Sequence, residues 1–449
     1  MALDDATLRN AVRFVEILHN TETYPAAKMQ TYQRRLLERL VRHAKAEVPF
    51  YATRLDPLFG ADDTIRWEAW SDIPAFTRSD AQQAGDTLFA KDTPAQTGAY
   101  SEETTSGSTG MPLRTRRSAL MGLMGLSINQ RFFNWHAIDP DASICFIMDE
   151  KRRFPYPEGQ AGDNWNLKNP EAPGYNLSVG ATVAQQVEWL VRRQPGLLCT
   201  YPRNAEAIVE AFVQQGLPIP FHTVLVHGEV LEPDTSRTIE AAGLKLINRF
   251  GSVEVGPISA QCPEGPWHHQ YSEVAFMEAL SPDGESVIDS GRGQLVVTPF
   301  YNYAMPLIRY SNGDQIDLSP QPCPCGRTLP RIERILGRER NMFTFSDGSR
   351  KWPNMMRSEY EPFLSAKQFQ VIQHTATRLE VRYVADDVSR PVDLVGFTAL
   401  LQDTLHRDIT VELTRVPELS RAASGKFETW ISHVNVSGNR SHITGNPET

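Results

Sequence analysis

The chain has 449 residues, is 41% hydrophobic and carries a formal net charge of −9, so it can form two or three domains with cores of their own. Lys and Arg do not gather into a basic run, which argues against nucleic acid or an anionic membrane as the main partner. The acidic start and the lack of a long apolar stretch predict neither a signal peptide nor a membrane span, and we expect a cytoplasmic protein.

Apolar residues recur at helical spacing in the first hundred residues, as at residues 11–18 and 36–41. From a glycine-rich run near residue 105 to about residue 335, helix-like stretches alternate with short apolar runs such as 223–226 and 293–298. This alternation is typical of a layered α/β domain.

A smaller unit follows, with a strand candidate at residues 369–373 and a helix candidate at 394–405. We therefore predict an α/β fold: a large layered N-terminal domain over residues 1–337 and a small α+β domain over 338–433. Residues 434–449 are rich in Ser, Asn, Gly and Thr without periodicity, and are expected to be a disordered tail.

The most informative stretch follows Thr104, where small hydroxyl residues and glycines adjoin: Thr105, Ser106, Gly107, Ser108, Thr109 and Gly110. Glycines let the backbone turn several N–H groups into one concavity, and the hydroxyls add donors, so the run suits phosphate oxygens. It has neither the ending of a Walker loop nor the glycine spacing of a dinucleotide fold. A flexible linker is the alternative interpretation.

Five cysteines in so long a chain do not make a disulfide scaffold, and Cys145 and Cys199 lie in apolar, core-like strands. The other three occur with a histidine pair, in two segments: Cys262, His268, His269, Cys323 and Cys325. Thiolate and imidazole suit tetrahedral Zn²⁺, and four ligands without an open position would make the site structural. We choose His268 over His269 as the fourth ligand. Three reduced cysteines with a surface histidine pair are the alternative.

The glycine-rich loop and several later segments, taken in order, resemble the adenylate-forming enzymes, specifically their phenylacetate-CoA ligase-like branch. The resemblance covers most of the chain and rests on these segments: 47–51, 104–113, 248–257, 310–314, 323–338 and 424–427. It implies a large adenylation domain, a small mobile C-terminal domain, and ATP with Mg²⁺ as partners in the reaction. Zinc ligands similar to those above occur in part of this branch.

The resemblance also implies roles for individual residues. Glu254 would hold Mg²⁺ against the phosphates, since a hard cation prefers oxygen ligands. Asp314 would accept the ribose hydroxyls, and Arg338 would donate to the same sugar or to a phosphate. Lys426, on the small domain, would bridge the carboxylate and the α-phosphate in the transition state of adenylation. The segments beside adenine and before the glutamate would contribute Gly228, Glu229, Phe250, Gly251 and Ser252.

Each of these residues also has a purely structural interpretation. Glu254 could be a solvated carboxylate at a strand end, Asp314 a turn residue, and Lys426 a solvated loop residue. The segment at Gly228 and Glu229 could be a core strand that ends in a turn.

Three positions depart from the family pattern. Met111 stands where a lysine usually follows the loop, and Val253 stands where Thr or Ser usually precedes the glutamate. Arg340 lies where the family usually has an acidic hinge residue. These departures bear on the acceptor and the rate more than on nucleotide binding.

We therefore predict an ATP-dependent ligase that adenylates a small aromatic or arylacetic carboxylate and releases pyrophosphate. CoA is the acceptor that the resemblance implies by default, and amines and carrier proteins are others. The alternatives are an ATP-dependent amide-forming or nitrite-activating enzyme and, from another class, a catalytically weak nucleotide-binding regulator.

Overall fold

The computed structural model describes residues 4–104, 113–148, 154–162, 165–338, 342–351, 353, 355, 357–387, 389–419 and 427–434. These residues fall into two compact units, divided between Arg338 and Glu339. Phe427 groups with the first unit. Of the predicted tail, only Val434 lies within the described residues.

The α-helices of the described residues, in chain order, are α1 Asp5–Thr21, α2 Ala26–Glu47, α3 Arg78–Ala84, α4 Ala119–Trp135, α5 Val183–Arg193, α6 Pro202–Gln214, α7 Pro233–Ala241, α8 Arg357–Tyr360 and α9 Leu394–Thr404. Several begin at a side-chain cap, as where Thr77 accepts the backbone N–H of Asp80 at the start of α3. Short 3-10 helices also occur, at Pro49–Tyr51, Asp56–Leu58, Trp67–Asp72, Gly85–Leu88 and Ala95–Thr97.

The strands of the first unit are β1 Phe76–Thr77, β2 Tyr100–Thr104, β3 Arg114–Ser118, β4 Ile144–Met148, β5 Gln160–Gly162, β6 Gly174–Ser178, β7 Leu197–Thr200, β8 Thr223–His227, β9 Lys245–Ser252, β10 Gly256–Gln261, β11 His268–Gln270, β12 Ala275–Leu280, β13 Val287–Ile288, β14 Gly291–Pro299, β15 Tyr310–Ser319 and β16 Arg331–Arg338. The strands of the second unit are β17 Phe343–Thr344, β18 Arg350–Lys351, β19 Ala366–Thr375, β20 Arg378–Ala385, β21 Thr410–Arg415 and β22 Trp430–Ser432.

One large sheet organises the first unit, with the order β13-β12-β14-β15-β16-β11-β10-β9-β8-β7-β4-β6-β5 and β1 beside β15. Strands β6, β4, β7, β8 and β9 are parallel, and β9 pairs with β10 in antiparallel fashion. Helices α5, α6 and α7 connect the parallel strands, as parallel pairing requires.

Both faces of the parallel strands are covered. Because successive residues of a strand point to opposite faces, Cys199 packs with Phe132 of α4, whereas its neighbour Leu198 packs with Ile208 of α6. Near-continuous apolar runs are typical of strands buried on both sides. The predicted layered α/β fold is thus confirmed.

The second unit has a four-stranded sheet of order β21-β20-β19-β22, with antiparallel pairing between β19 and β20. Its core includes Phe397 and Leu401 of α9, which pack with Val371 and Val381 of the sheet. None of the described helices of the chain is long and apolar enough to span a membrane.

Candidate active site

Strands β2 and β3 pair in antiparallel fashion, and the glycine-rich run lies between them in the sequence. Thr104, the last described residue of β2, pairs with Arg114. Glu102 accepts hydrogen bonds from Arg114 at 3.1 Å and from Arg116 at 2.9 Å. The predicted phosphate-binding residues 105–110 and the departure at Met111 lie outside the described residues, so their role stays a prediction.

The predicted adenine segment follows β8, where the parallel strands end. Gly228 has a φ of +88°, a left-handed conformation that favours glycine. The carboxylate of Glu229 accepts the backbone N–H of Arg203 at 3.4 Å and that of Phe427 at 2.6 Å. Ligands of α/β sheets bind outside the carboxyl ends of the parallel strands, so this turn lies where a nucleotide is expected.

The hairpin of β9 and β10 carries Glu254 at its tip. Ser252 pairs with Gly256, and the Ser252 hydroxyl accepts the backbone N–H of Val255 at 3.4 Å. A Cβ atom on Gly251 would lie 2.6 Å from the carbonyl oxygen of Gly256, so a larger residue would force the strands apart. The motif glycine therefore has a packing reason that is independent of any ligand.

Two further residues of this motif differ in their surroundings. Phe250 is partly buried against an apolar core cluster of the first unit. A ligand could therefore contact its ring only on the exposed side. Val253 is 43% exposed, so the hydroxyl group that the family usually carries here is replaced by an apolar side chain in contact with solvent. The Ser252 hydroxyl closes the hairpin turn instead.

Glu254 is almost fully buried, with 5% exposure, and forms an ion pair with Arg78. Arg78 is the first residue of α3, and the preceding strand β1 pairs in parallel fashion with Tyr310 and Ser311 of β15. This pairing brings the start of α3 to the glutamate hairpin. A buried carboxylate needs a positive partner, and Arg78 supplies that charge.

Asp314 is also buried, at 7% exposure, and its position is fixed locally. The side-chain amide of Asn312 donates to Asp314 Oδ2 at 2.6 Å, and the Asp314 backbone N–H returns a bond to Asn312 Oδ1 at 3.1 Å. Gly313 between them has a φ of +84°. In the β15–β16 ladder Asp314 lies opposite Arg338, so the two predicted ribose residues are neighbours in register.

A second cluster lies where β10, β11 and the segment after β15 meet. Its four ligand atoms, from Cys262, His269, Cys323 and Cys325, all lie within 4.8 Å of one another. The Cys262 and Cys323 sulfurs are 3.6 Å apart, and His269 Nε2 is 3.2 Å from Cys325 Sγ. Three sulfurs and one imidazole nitrogen at this spacing match a tetrahedral zinc site.

The choice of His268 is wrong. Neighbouring residues of β11 point to opposite faces of the sheet. His269 faces the three sulfurs, whereas His268 Nδ1 lies 3.2 Å from the Ser259 hydroxyl. Both histidines are buried, at 3% and 0% exposure, so the alternative of a surface histidine pair is wrong.

The protonation of the cluster fits a metal site. His269 Nδ1 lies 3.2 Å from the Leu329 carbonyl oxygen, and donation of that N–H leaves Nε2 as a lone-pair donor toward the sulfurs. Burial lowers the pKa of His269 to about 4, so its ring is neutral at pH 7, as a ligand must be. Burial raises the pKa of Cys262 to about 12, and a bound cation would be required to hold it as a thiolate.

Sequence reasoning missed two functional candidates on the first unit. Arg78 carries a weak signal, since it begins a helix after a Thr77–Asp80 capping box, but nothing in the sequence links it to Glu254. Arg249 lies inside the recognised motif, directly before Phe250, but the motif implies no role for it. Lys426 lies outside the described residues, and so does Arg340.

The known proteins that resemble this chain include sequence relatives and solved structures. The chain is 27% identical over 356 residues to the phenylacetate-coenzyme A ligase of Thermus thermophilus, covering 72% of this chain and 73% of that one. It is 25% identical over 367 residues to the phenylacetate-coenzyme A ligase of Escherichia coli (strain K12), covering 76% and 78%. No family model matches the chain.

Among solved structures, 2-hydroxyisobutyryl-CoA ligase in its postadenylation state with R3-HIB-AMP aligns with a TM-score of 0.73 and 19% identity, over 92% of this chain and 91% of that one. The anthranilate CoA ligase AuaEII with anthranoyl-AMP aligns with a TM-score of 0.52 and 13% identity, over 72% and 65%. At these identities the structures establish the fold, and the sequence relatives add the kind of enzyme. The chain thus has the fold of the solved CoA ligases, and its similarity to phenylacetate-coenzyme A ligases supports an ATP-dependent acid ligase.

Proposed function

We propose that the protein adenylates a small aromatic or arylacetic carboxylate and transfers the acyl group to CoA. The observation that carries the proposal is the similarity to phenylacetate-coenzyme A ligases over nearly three quarters of the chain. Three local features support it: Glu254 at the tip of the β9–β10 hairpin, Asp314 opposite Arg338 in the β15–β16 ladder, and the turn at Gly228 after β8. The resemblance assigns these residues to the nucleotide and its Mg²⁺.

In the first step a carboxylate oxygen attacks the α-phosphorus of ATP, an acyl–oxygen–phosphorus bond forms, and the bond to the β-phosphate oxygen breaks to release pyrophosphate. In the second step the CoA thiolate attacks the acyl carbon, and AMP leaves. The first step gathers negative charge on phosphate oxygens, so its catalysis is mainly positioning and electrostatic stabilisation. Lys426 and the donors of the glycine-rich loop would provide this stabilisation.

Two metal ions belong to the proposal. Glu254 would hold Mg²⁺, which neutralises phosphate charge when bound. For this the carboxylate must exchange its partner, because Arg78 is paired with it in the structure. Zn²⁺ would be held by Cys262, His269, Cys323 and Cys325, and would brace the segment after β10 against the segment after β15.

The proposal is tested by pyrophosphate release with ATP and Mg²⁺ across a panel of aryl and arylacetic acids, each with and without CoA. Nitrite with an arylamine forms a separate arm. Release with one acid and formation of its CoA thioester would support the proposal. Release only with nitrite and an amine would replace it with the nitrite-activating alternative, and silence with ATP still bound would favour the nucleotide-binding regulator.

We expect Glu254→Gln to lower the rate of pyrophosphate release about 100-fold and to raise the Mg²⁺ concentration needed for half of the maximal rate. The amide keeps the size of the side chain but removes the charge that would hold the cation. The measurement is a Mg²⁺ titration of ATP–pyrophosphate exchange. Glu285→Gln, in an exposed loop, is the matched control and should leave the titration unchanged. An unaltered Mg²⁺ dependence in Glu254→Gln would show that this carboxylate is not a magnesium ligand.

A further inference from the structure

Arg249 lies on β9 directly before the motif aromatic Phe250, and its side chain reaches under α4. Its Nη1 donates to Asn129 Oδ1 at 2.9 Å, and its Nη2 lies 3.7 Å from Cys199 Sγ. The centre of the guanidinium is 5.5 Å from the centroid of the Phe132 ring. The residue is partly exposed, so solvent or a ligand can reach it from the strand ends.

The charge of Arg249 has no counterpart among the described residues. In that part of the chain it forms no ion pair with a carboxylate, and its buried Nε has no hydrogen-bond partner. Cys199 does not neutralise it, because burial raises the pKa of that thiol and keeps it protonated. Removing a guanidinium from water without an anion is unfavourable, so such a residue is rarely retained for packing alone.

Two buried arginines of the first unit are each neutralised by a carboxylate. Arg131 pairs with Glu273 at 2.6 Å, and Arg309 pairs with Glu278 at 3.1 Å. Among the residues that the structure describes, Arg249 differs from both in donating to neutral groups, an amide oxygen and a thiol. The missing anion is therefore expected to arrive with a ligand.

The side chains around Arg249 indicate what kind of ligand would supply this anion. The face of the sheet beneath α4 is apolar, and Phe146, which lies opposite Cys199 in register, is only partly buried against this core. Asn129 holds one edge of the guanidinium, which leaves other N–H groups in the planar fork that matches a carboxylate. A ligand with an apolar body and a terminal carboxylate would match both the apolar face and the guanidinium.

We propose that Arg249 is a specificity-determining residue that binds a second carboxylate of the acyl substrate, at the end remote from the carboxylate that is adenylated. The substrate class is therefore an aromatic acid with two carboxylates rather than a simple arylacetic acid. This inference rests on the proposed acid ligase function.

The test compares phenylacetate with its ring-carboxylated isomers. Binding is measured by calorimetry in the presence of Mg²⁺ and a non-hydrolysable ATP analogue, and pyrophosphate release is measured in parallel with ATP. For the wild type, at least one diacid should bind about 10-fold tighter than phenylacetate or better, since it adds a charge-assisted pair. Arg249→Met should weaken that diacid about 100-fold and leave phenylacetate within about 3-fold. Arg249→Lys should restore part of the preference, because it keeps the charge without the fork.

Arg292→Met serves as the matched control, since Arg292 pairs with Asp317 at 3.1 Å on the exposed side of the first unit. It should retain the wild-type preference. The inference is overturned if no diacid binds better than phenylacetate, or if Arg249→Met weakens both acids equally. Arg249-dependent binding of a diacid without pyrophosphate release would uphold the carboxylate site at Arg249 and reject the acid ligase function. Pyrophosphate release with monoacids alone would uphold the acid ligase function and reject the carboxylate site at Arg249.

Discussion

The Lys426→Ala variant is expected to release pyrophosphate about 100- to 1,000-fold more slowly than the wild type while it binds ATP with unchanged affinity. The reason is that the ammonium group would contact the α-phosphate and the attacking carboxylate mainly in the transition state. The adjacent residue, Phe427, donates its backbone N–H to Glu229 beside the adenine segment, which supports a role for this part of the chain at the nucleotide.

The two half-reactions separate this role from a general defect. Synthetic acyl-adenylate supplied with CoA should be converted to the thioester by Lys426→Ala at nearly the wild-type rate, because that step does not need the lysine. Lys367→Ala, at an exposed position of the second unit, is the control and should behave as wild type in both assays. Equal losses in the two half-reactions would contradict an adenylation role, and no loss in either would favour a regulator that only binds the nucleotide.

The second large effect is expected at the cysteine cluster. Purified protein should contain about one zinc per chain, and His269→Ala should lose most of it and lower the Tm by roughly 6–10 °C, or about 3 kcal/mol. The metal would join two segments that are distant in sequence, with Cys262 and Cys323 61 residues apart, so its loss should free both. Elemental analysis and calorimetry measure the two effects.

His268→Ala is the matched control, since the two histidines are adjacent and both buried but point to opposite faces. It should lower the Tm through lost packing yet keep the zinc. Equal zinc contents in the two variants would exclude His269 as a ligand. Wild-type protein that stays free of zinc after expression in zinc-supplemented medium would reject the metal site as a whole.

The elements that could be predicted from sequence are those fixed by local patterns. Helical spacing located α1, α2 and α9, and short apolar runs located β7 and β8, because burial on both faces leaves a continuous apolar signal. The cysteine spacing located the cluster for a similar reason, since few other arrangements bring soft ligands together in one chain.

Side-chain direction and long-range pairing could not be predicted. His268 and His269 lie on a three-residue strand, and the face that meets the cysteines depends on how β11 pairs with β10 and β16. Arg78 and Glu254 are 176 residues apart and meet only because β1 pairs with β15. A pattern within a short window carries no information about such contacts.

The change from parallel to antiparallel pairing at β9 has a consequence for how this protein can diversify. The residues around Arg249 lie on β7, β9 and α4, whereas the cysteine cluster draws on β10, β11 and the segment after β15. Mutations around Arg249 can therefore accumulate without replacing any residue of the cysteine cluster. A library confined to Asn129, Phe132, Cys199 and Arg249 would explore new acids on an intact scaffold, which makes this region the natural starting point for directed evolution.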